Sequence, residues 1–194
     1  ISFSLEGKSV AITGASKGIG KAIAMICAEH GANLWLGSRD MKATELVAVE
    51  CRKFGVRAQS GLLNVQNLDS LRNFLREGFN YFNGLDALVN NVGLTIVKPA
   101  IELTEEEFDD VCDINFKAVF FGLSSFFLSC AERPIESLNN LTFQTRKTVL
   151  PKQVFVIQRG KGEHEHFLSF IIRLNQRKSP SAPRVSKEKI NILV

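Results

Sequence analysis

From Ser9 to Cys130, short uninterrupted apolar runs take turns with longer stretches in which apolar residues recur every three or four positions. Val10, Ala11 and Ile12 lack polar alternation, as in a parallel strand covered on both faces, and predict a strand over Ser9–Thr13. A helical pattern (Ile19, Ile23, Ile26) follows over Gly18–His30, with Gly31 as its stop. Asn33–Gly37 reads as a second strand and Arg57–Leu62 as a third, separated by a helix over Met41–Phe54 with Leu46, Val49 and Phe54 at near-helical spacing. Asn67–Phe79 places Leu68, Leu71, Phe74 and Leu75 on one helical face, and Asp86–Val89 is a fourth strand ending in Asn90 and Asn91. Next come an acidic helix over Glu102–Val111 with a Thr104-to-Glu107 capping box and a long helix over Ile114–Cys130. Strands alternating with helices of this length make right-handed βαβ units, so the predicted class is α/β with a doubly wound parallel sheet.

Beyond Cys130 the pattern loosens, and the class is expected to be truncated or atypical in its last third. Val149–Ile157 reads as a fifth strand, Phe167–Leu174 as strand or helix, and Ile190–Val194 as a last strand. For 131–148 and 175–189 disorder and structure both stay open. Composition sharpens the break. Residues 1–130 carry 12 Lys and Arg against 15 Asp and Glu; residues 131–194 carry 12 against 5, with no aspartate and two of the 14 glycines. We therefore divide the chain into a core over 1–130 and a basic C-terminal segment over 131–194, a shift that resembles sequence of another origin joined to a shortened domain. The tail's basic residues lack interleaved aromatics, which argues against nucleic acid.

The chain has no apolar run of the ~20 residues that a membrane span needs and no basic-then-apolar leader, so the expectation is a cytoplasmic protein without a membrane segment. Cys27, Cys51, Cys112 and Cys130 lack close pairing and read as reduced thiols, the first three on helices. The two histidines of Gly162–His166 have no third ligand in view, and no metal is expected.

The chemistry concentrates at the end of the first strand, in Thr13-Gly14-Ala15-Ser16-Lys17-Gly18-Ile19-Gly20. A strand that turns on glycine into a helix lets a pyrophosphate approach the backbone and meet free N–H groups at the positive end of the helix dipole. With its G-x-x-x-G-x-G spacing, this segment resembles the signature of the short-chain dehydrogenase/reductase family. Asn90-Asn91-Val92-Gly93 and the asparagine of Asp113-Ile114-Asn115 resemble the same family, in order and spacing, over roughly residues 5–130.

That resemblance implies a Rossmann-like nucleotide-binding sheet and a nicotinamide dinucleotide as partner. Gly14, Ser16, Lys17, Gly18, Ile19 and Gly20 would wrap the phosphates. At the end of the second strand stands Ser38 in place of an acid, followed by Arg39, whose planar guanidinium suits a 2′-phosphate. Lys17 adds a second charge, so NADP(H) is favoured over NAD(H), although Asp40 stands within reach of a ribose and Arg39 has the alternative of capping the helix or pairing with Asp40. Asn64 and Val65 would meet the adenine, and Asn91, Val92 and Gly93 the adenine ribose, while Asn90 braces the sheet.

The family's reaction passes a hydride between the nicotinamide and a carbonyl or alcohol carbon, with a small carbonyl or alcohol compound as substrate. A tyrosine moves the proton, a lysine four residues later lowers its pKa, a serine orients the substrate and an asparagine supports a water. Asn115 matches that asparagine as the one catalytic remnant. The single tyrosine, Tyr81, precedes the fourth strand, and no Tyr-x-x-x-Lys occurs; Phe155 and Arg159 have the right separation but no phenol. Neither Ser129 nor Ser137 has neighbours that support it as the serine. A free phenol with a pKa near ~10 is a poor base at neutral pH without such a cation. Two readings follow: an NADP-dependent oxidoreductase with impaired chemistry, or a non-catalytic nucleotide-binding or interaction protein, including a truncated splice or frameshift product. The apolar positions of 114–130 also suit packing on the sheet and against a second copy.

Overall fold

The structure, a computed structural model, describes residues 4–131 and three strand segments, 154–158, 170–173 and 191–193. The expectations for 131–148 and 175–189, and those on Ser137, Arg159 and Gly162–His166, lie outside the described residues.

Strands β1 (Ser9–Thr13), β2 (Asn33–Ser38), β3 (Ala58–Leu62) and β4 (Ala87–Asn90) lie in the order β3-β2-β1-β4, all parallel. Helices α1 (Gly18–Glu29), α2 (Met41–Arg52) and α3 (Leu68–Phe82) connect them. One core, built on Ile12, Leu34, Leu36, Ala24, Val47 and Ala48, packs α1 and α2 on one face. The other, built on Trp35, Leu71, Phe74, Leu75, Leu88 and Phe126, packs α3 and the long helix on the opposite face. Burial on both faces is why β1, β2 and β4 read as apolar runs, whereas β3, at the edge, buries Ala58, Ser60 and Gly61 and exposes Leu62.

Two expectations are corrected, and the tail strands extend the expected parallel sheet. The fifth, sixth and seventh strands are β5 (Val154–Gln158), β6 (Phe170–Arg173) and β7 (Asn191–Leu193), and they continue the sheet antiparallel, with Ala87 of β4 opposite Gln158 and Asn90 opposite Phe155. The expected parallel sheet of β1–β4 is thus continued by antiparallel strands, whose direction an apolar run does not announce. Leu46 and Val49 of α2, and Phe54 just past its end, are exposed; the sheet-facing residues are Thr44, Val47, Ala48 and Cys51. Threonine fits that face because its hydroxyl donates to the Asp40 carbonyl at 2.8 Å and so enters the core satisfied.

The second correction concerns the helix after β4. Helix α4 (Glu105–Cys112) runs without a break through a π-turn (Asp113–Lys117) into α5 (Ala118–Ala131), rather than a helix starting afresh at Ile114. The Thr104–Glu107 capping box forms as predicted. Glu105–Ser129 is thus one helix long and apolar enough, by length and composition alone, to cross a membrane. Its face at Ala118 and Phe126 is buried against the body, with the Phe126 ring 6.1 Å from that of Phe79 on α3.

Candidate nucleotide site

The carboxyl ends of β1, β2, β3 and β4 converge, and the residue that joins two of them opens the glycine motif, where the sequence assigned it no role of its own. Thr13 is buried, and its hydroxyl donates to the Val89 carbonyl at 3.3 Å and accepts from the amides of Asn91 (2.9 Å) and Val92 (3.3 Å). Asn91 answers with its side chain, Nδ2 donating to the carbonyls of Thr13 (2.9 Å) and Gly14 (3.1 Å). The turn after β1 is thereby clamped to the loop after β4. Gly14 and Ala15 donate to the Gly37 carbonyl at 2.7 and 3.1 Å, which ties the same turn to β2.

Two glycines are irreplaceable here. Gly14 has φ +70°, the left-handed region that disfavours side chains. At Gly20 a Cβ would stand 2.6 Å from Asn91 Nδ2 and far inside contact with the Gly14 carbonyl oxygen. The first turn of α1 can therefore lie against the glycine turn only if position 20 has no side chain. Lys17 precedes that helix without a side-chain capping bond, and no acidic residue occupies the first turn. The helix thus presents an uncapped, uncompensated positive end, flanked by half-buried Ser16 and exposed Lys17 and Gly18, with Ile19 packed on the core behind.

The loop after β2 is organised by Ser38. Its buried hydroxyl lies 2.6 Å from Thr44 Oγ1, accepts from the Asp40 amide at 3.0 Å and lies 3.0 Å from the Asp40 carbonyl. Asp40 caps α2 through the Ala43 amide at 3.0 Å. Ser38 is therefore spent on loop shape, and Asp40, not Arg39, is the cap. Arg39 is exposed and makes no hydrogen bond or ion pair among the described residues. In the loop after β3, Val65 is buried, the Asn64 backbone amide donates to Ser70 Oγ at 3.0 Å and Asn64 Oδ1 accepts from the Gln66 amide at 3.3 Å, while Asn64 Nδ2 makes no hydrogen bond among the described residues. Gln66 Nε2 donates to Asp110 Oδ1 at 2.8 Å, a link from the adenine-side loop to α4.

Of the remaining candidates, Val92 rests against Gly14 and Gly93 is exposed beside Asn115. Asn90 is buried, its Nδ2 without a hydrogen-bond partner among the described residues and its Oδ1 facing Gly122 of α5. Asn115 lies in the π-turn. Its Oδ1 accepts from the Leu94 amide at 2.9 Å and its Nδ2 donates to the Leu94 carbonyl at 2.7 Å, so its amide holds backbone. Single π-turns recur at functional sites. Ser129 donates to the Ser125 carbonyl within α5 at 3.0 Å.

Tyr81 is elsewhere. It stacks with Trp35 at 5.7 Å and lies under the Arg57 guanidinium at 4.9 Å, while Arg57, just ahead of β3, donates its amide to Asn33 at the start of β2. Tyr81 thus sits at the amino ends of the strands, away from the convergent loops.

Residues 8–133 match the short chain dehydrogenase family model. The chain belongs to that family. It is 39% identical over 116 residues to the 3-oxoacyl-(acyl-carrier-protein) reductase FabG of Staphylococcus epidermidis, covering 58% of this chain and 47% of the relative. A short-chain type dehydrogenase/reductase from Mycobacterium marinum superposes with TM-score 0.64 at 32% identity, over 68% of this chain and 53% of that one. An alcohol dehydrogenase from Thermococcus sibiricus, solved with 5-hydroxy-NADP, gives 0.62 at 36% identity, over 64% and 54%. The chain therefore spans about half the length of the relatives it matches.

Proposed function

We propose that this chain binds NADP(H) at the convergent loops and lacks the proton-transfer couple of an active short-chain dehydrogenase. The phosphates would meet the uncapped start of α1, with Gly14, Ser16, Lys17, Gly18, Ile19 and Gly20 around them. Arg39, exposed and unpaired among the described residues, would take the 2′-phosphate, which favours NADP(H) over NAD(H). Asn64 and Val65 would border the adenine, and Asn91, Val92 and Gly93 the adenine ribose, with Ser38 shaping the loop. The Thermococcus relative's 5-hydroxy-NADP supports the choice.

NADP(H), when bound, carries the hydride chemistry. The protein's part would be to hold the nucleotide and to move a proton. For that second task Asn115 offers an amide with no titratable proton, already engaged with Leu94. The observation that carries the proposal is Tyr81, the single tyrosine, which stands at the wrong end of the sheet under Arg57. Removing a general acid or base costs ~10²–10⁴-fold in rate. Incubation with NADPH and a panel of ketones, or NADP with alcohols, should give turnover at least about a hundredfold below that of an intact relative assayed alongside. Turnover at the relative's rate would return the chain to the oxidoreductases as a working enzyme.

A further inference from the structure

Strand β3 ends the sheet, and among the described residues β2 is its one neighbour. The ladder fixes which of its backbone groups are left over. Leu34 lies opposite Ala58, and its amide donates to the Arg57 carbonyl at 2.8 Å. Ser38 lies opposite Leu62, and its carbonyl accepts from the Leu63 amide at 2.9 Å. Alternate residues of a strand turn their groups to opposite sides, so the N–H and C=O of Ala58, Ser60 and Leu62 point away from β2. Such a row is a template for a further strand. Yet Ala58 and Ser60 are only 3% and 7% exposed.

The groups that reach them come from α2. Arg52, in its last turn, donates from one guanidinium nitrogen to the Ala58 carbonyl at 2.6 Å and from the other to Glu45 at 2.5 Å. The second Glu45 oxygen accepts from the Ser60 hydroxyl at 2.6 Å. These bonds, that of Ser60 first and that of Arg52 next, hold the Glu45 carboxyl below its ordinary pKa and keep the bridge charged. The guanidinium therefore occupies an outward carbonyl and stands where a neighbouring strand would lie. Without it the edge is complementary to itself. About a two-fold axis at Ser60, antiparallel copies would set Ser60 against Ser60 and Ala58 against Leu62, with every outward group paired. Leu62, exposed and apolar, is what that pairing would bury. We infer that the edge of β3 is a pairing surface for a second copy of this chain, held shut by Arg52 and Glu45.

Sedimentation velocity of the full chain over a concentration series tests this in wild type, Arg52→Ala, and Arg52→Ala combined with Leu62→Pro. Arg52→Ala should raise the self-association constant at least about tenfold, the worth of one charge-assisted bond. Amide exchange over 58–62 should slow with rising concentration in that variant and not in wild type. Proline at 62 removes an outward N–H and leaves the Leu63 bond to Ser38 in place, so the double variant should sediment as wild type. Association through another face, such as that of α5, would survive the proline. Glu45→Gln loosens Arg52 without removing it and should shift association the same way; it carries the comparison if Arg52→Ala loses its circular dichroism signal. Both guard variants sedimenting as wild type at every concentration would overturn the inference. So would added association that persists with Leu62→Pro.

Discussion

Thr13→Val removes one oxygen and keeps the shape, which makes it the sharpest probe of the junction between β1 and β4. The lost hydroxyl serves three partners: it donates to Val89 and accepts from the amides of Asn91 and Val92. Position 13 is 2% exposed, so water cannot take the hydroxyl's place without opening the strand end. Each buried polar group left unpaired costs ~1–3 kcal/mol; the two amides lie in a half-buried loop, which puts the sum near about 2–3 kcal/mol. For a domain of this size that is a fall in Tm of about 4–12 °C. Thr13→Ser keeps the oxygen and should recover most of the loss. The assay is thermal unfolding of the three proteins by circular dichroism at one pH and salt. A valine variant melting within about 1 °C of wild type, or a serine variant as unstable as the valine, would refute the reasoning.

Three further outcomes follow from the same contacts. Arg39→Ala should weaken NADPH about tenfold to a hundredfold and leave NADH unchanged, as read by fluorescence titration, because a charge-assisted bond to phosphate is lost. Glu107 is held down to about pKa 2, first by its hydrogen bond with Lys98 and then by the Thr104 amide. Its depressed folded value means that its stabilisation is complete above the ordinary carboxylate pKa of 4.5 and fades as pH falls through about 2. Amide exchange over 104–112 should therefore accelerate across that window in wild type and vary less with pH in Glu107→Gln. Phe116, Phe120 and Leu128 lie exposed along the long helix, so Phe120→Asp should reduce any self-association seen by analytical ultracentrifugation; an unchanged sedimentation profile in an associating wild type would remove this face.

How much of this was legible beforehand depends on the range of the interaction. Strands β1, β2 and β4 and helices α1 and α3 announce themselves because each buries a contiguous or periodic set of apolar residues, and the start of α4 because its capping box is local; β3 shows itself only by its place between two helical patterns. The glycine turn was legible for the same reason, since Gly14, Gly18 and Gly20 act within seven positions. What escaped is long-range or atypical. Thr13 looks like an ordinary strand residue, and its partners lie 76 to 79 positions away. Gln66 and Asp110, 44 apart, leave no periodicity. Helix α2 turns a threonine and a cysteine inward and Leu46 outward, against simple hydropathy, because a satisfied hydroxyl packs well between helix and sheet. The π-turn shifts the phase of a continuous helix, which makes Ile114 look like a new beginning. The direction of β5–β7 was not legible at all, since buried apolar strands read alike in either orientation.

Calorimetric titration of the purified chain, first with NADPH and then with NADH, bears most directly on whether the four strand ends form a working nucleotide cradle. Saturable single-site binding of NADPH, with NADH at least about tenfold weaker, is the predicted result, the difference being the worth of the Arg39 contact. No saturable NADPH binding would contradict the cradle itself; equal affinities for the two would contradict the assignment of Arg39.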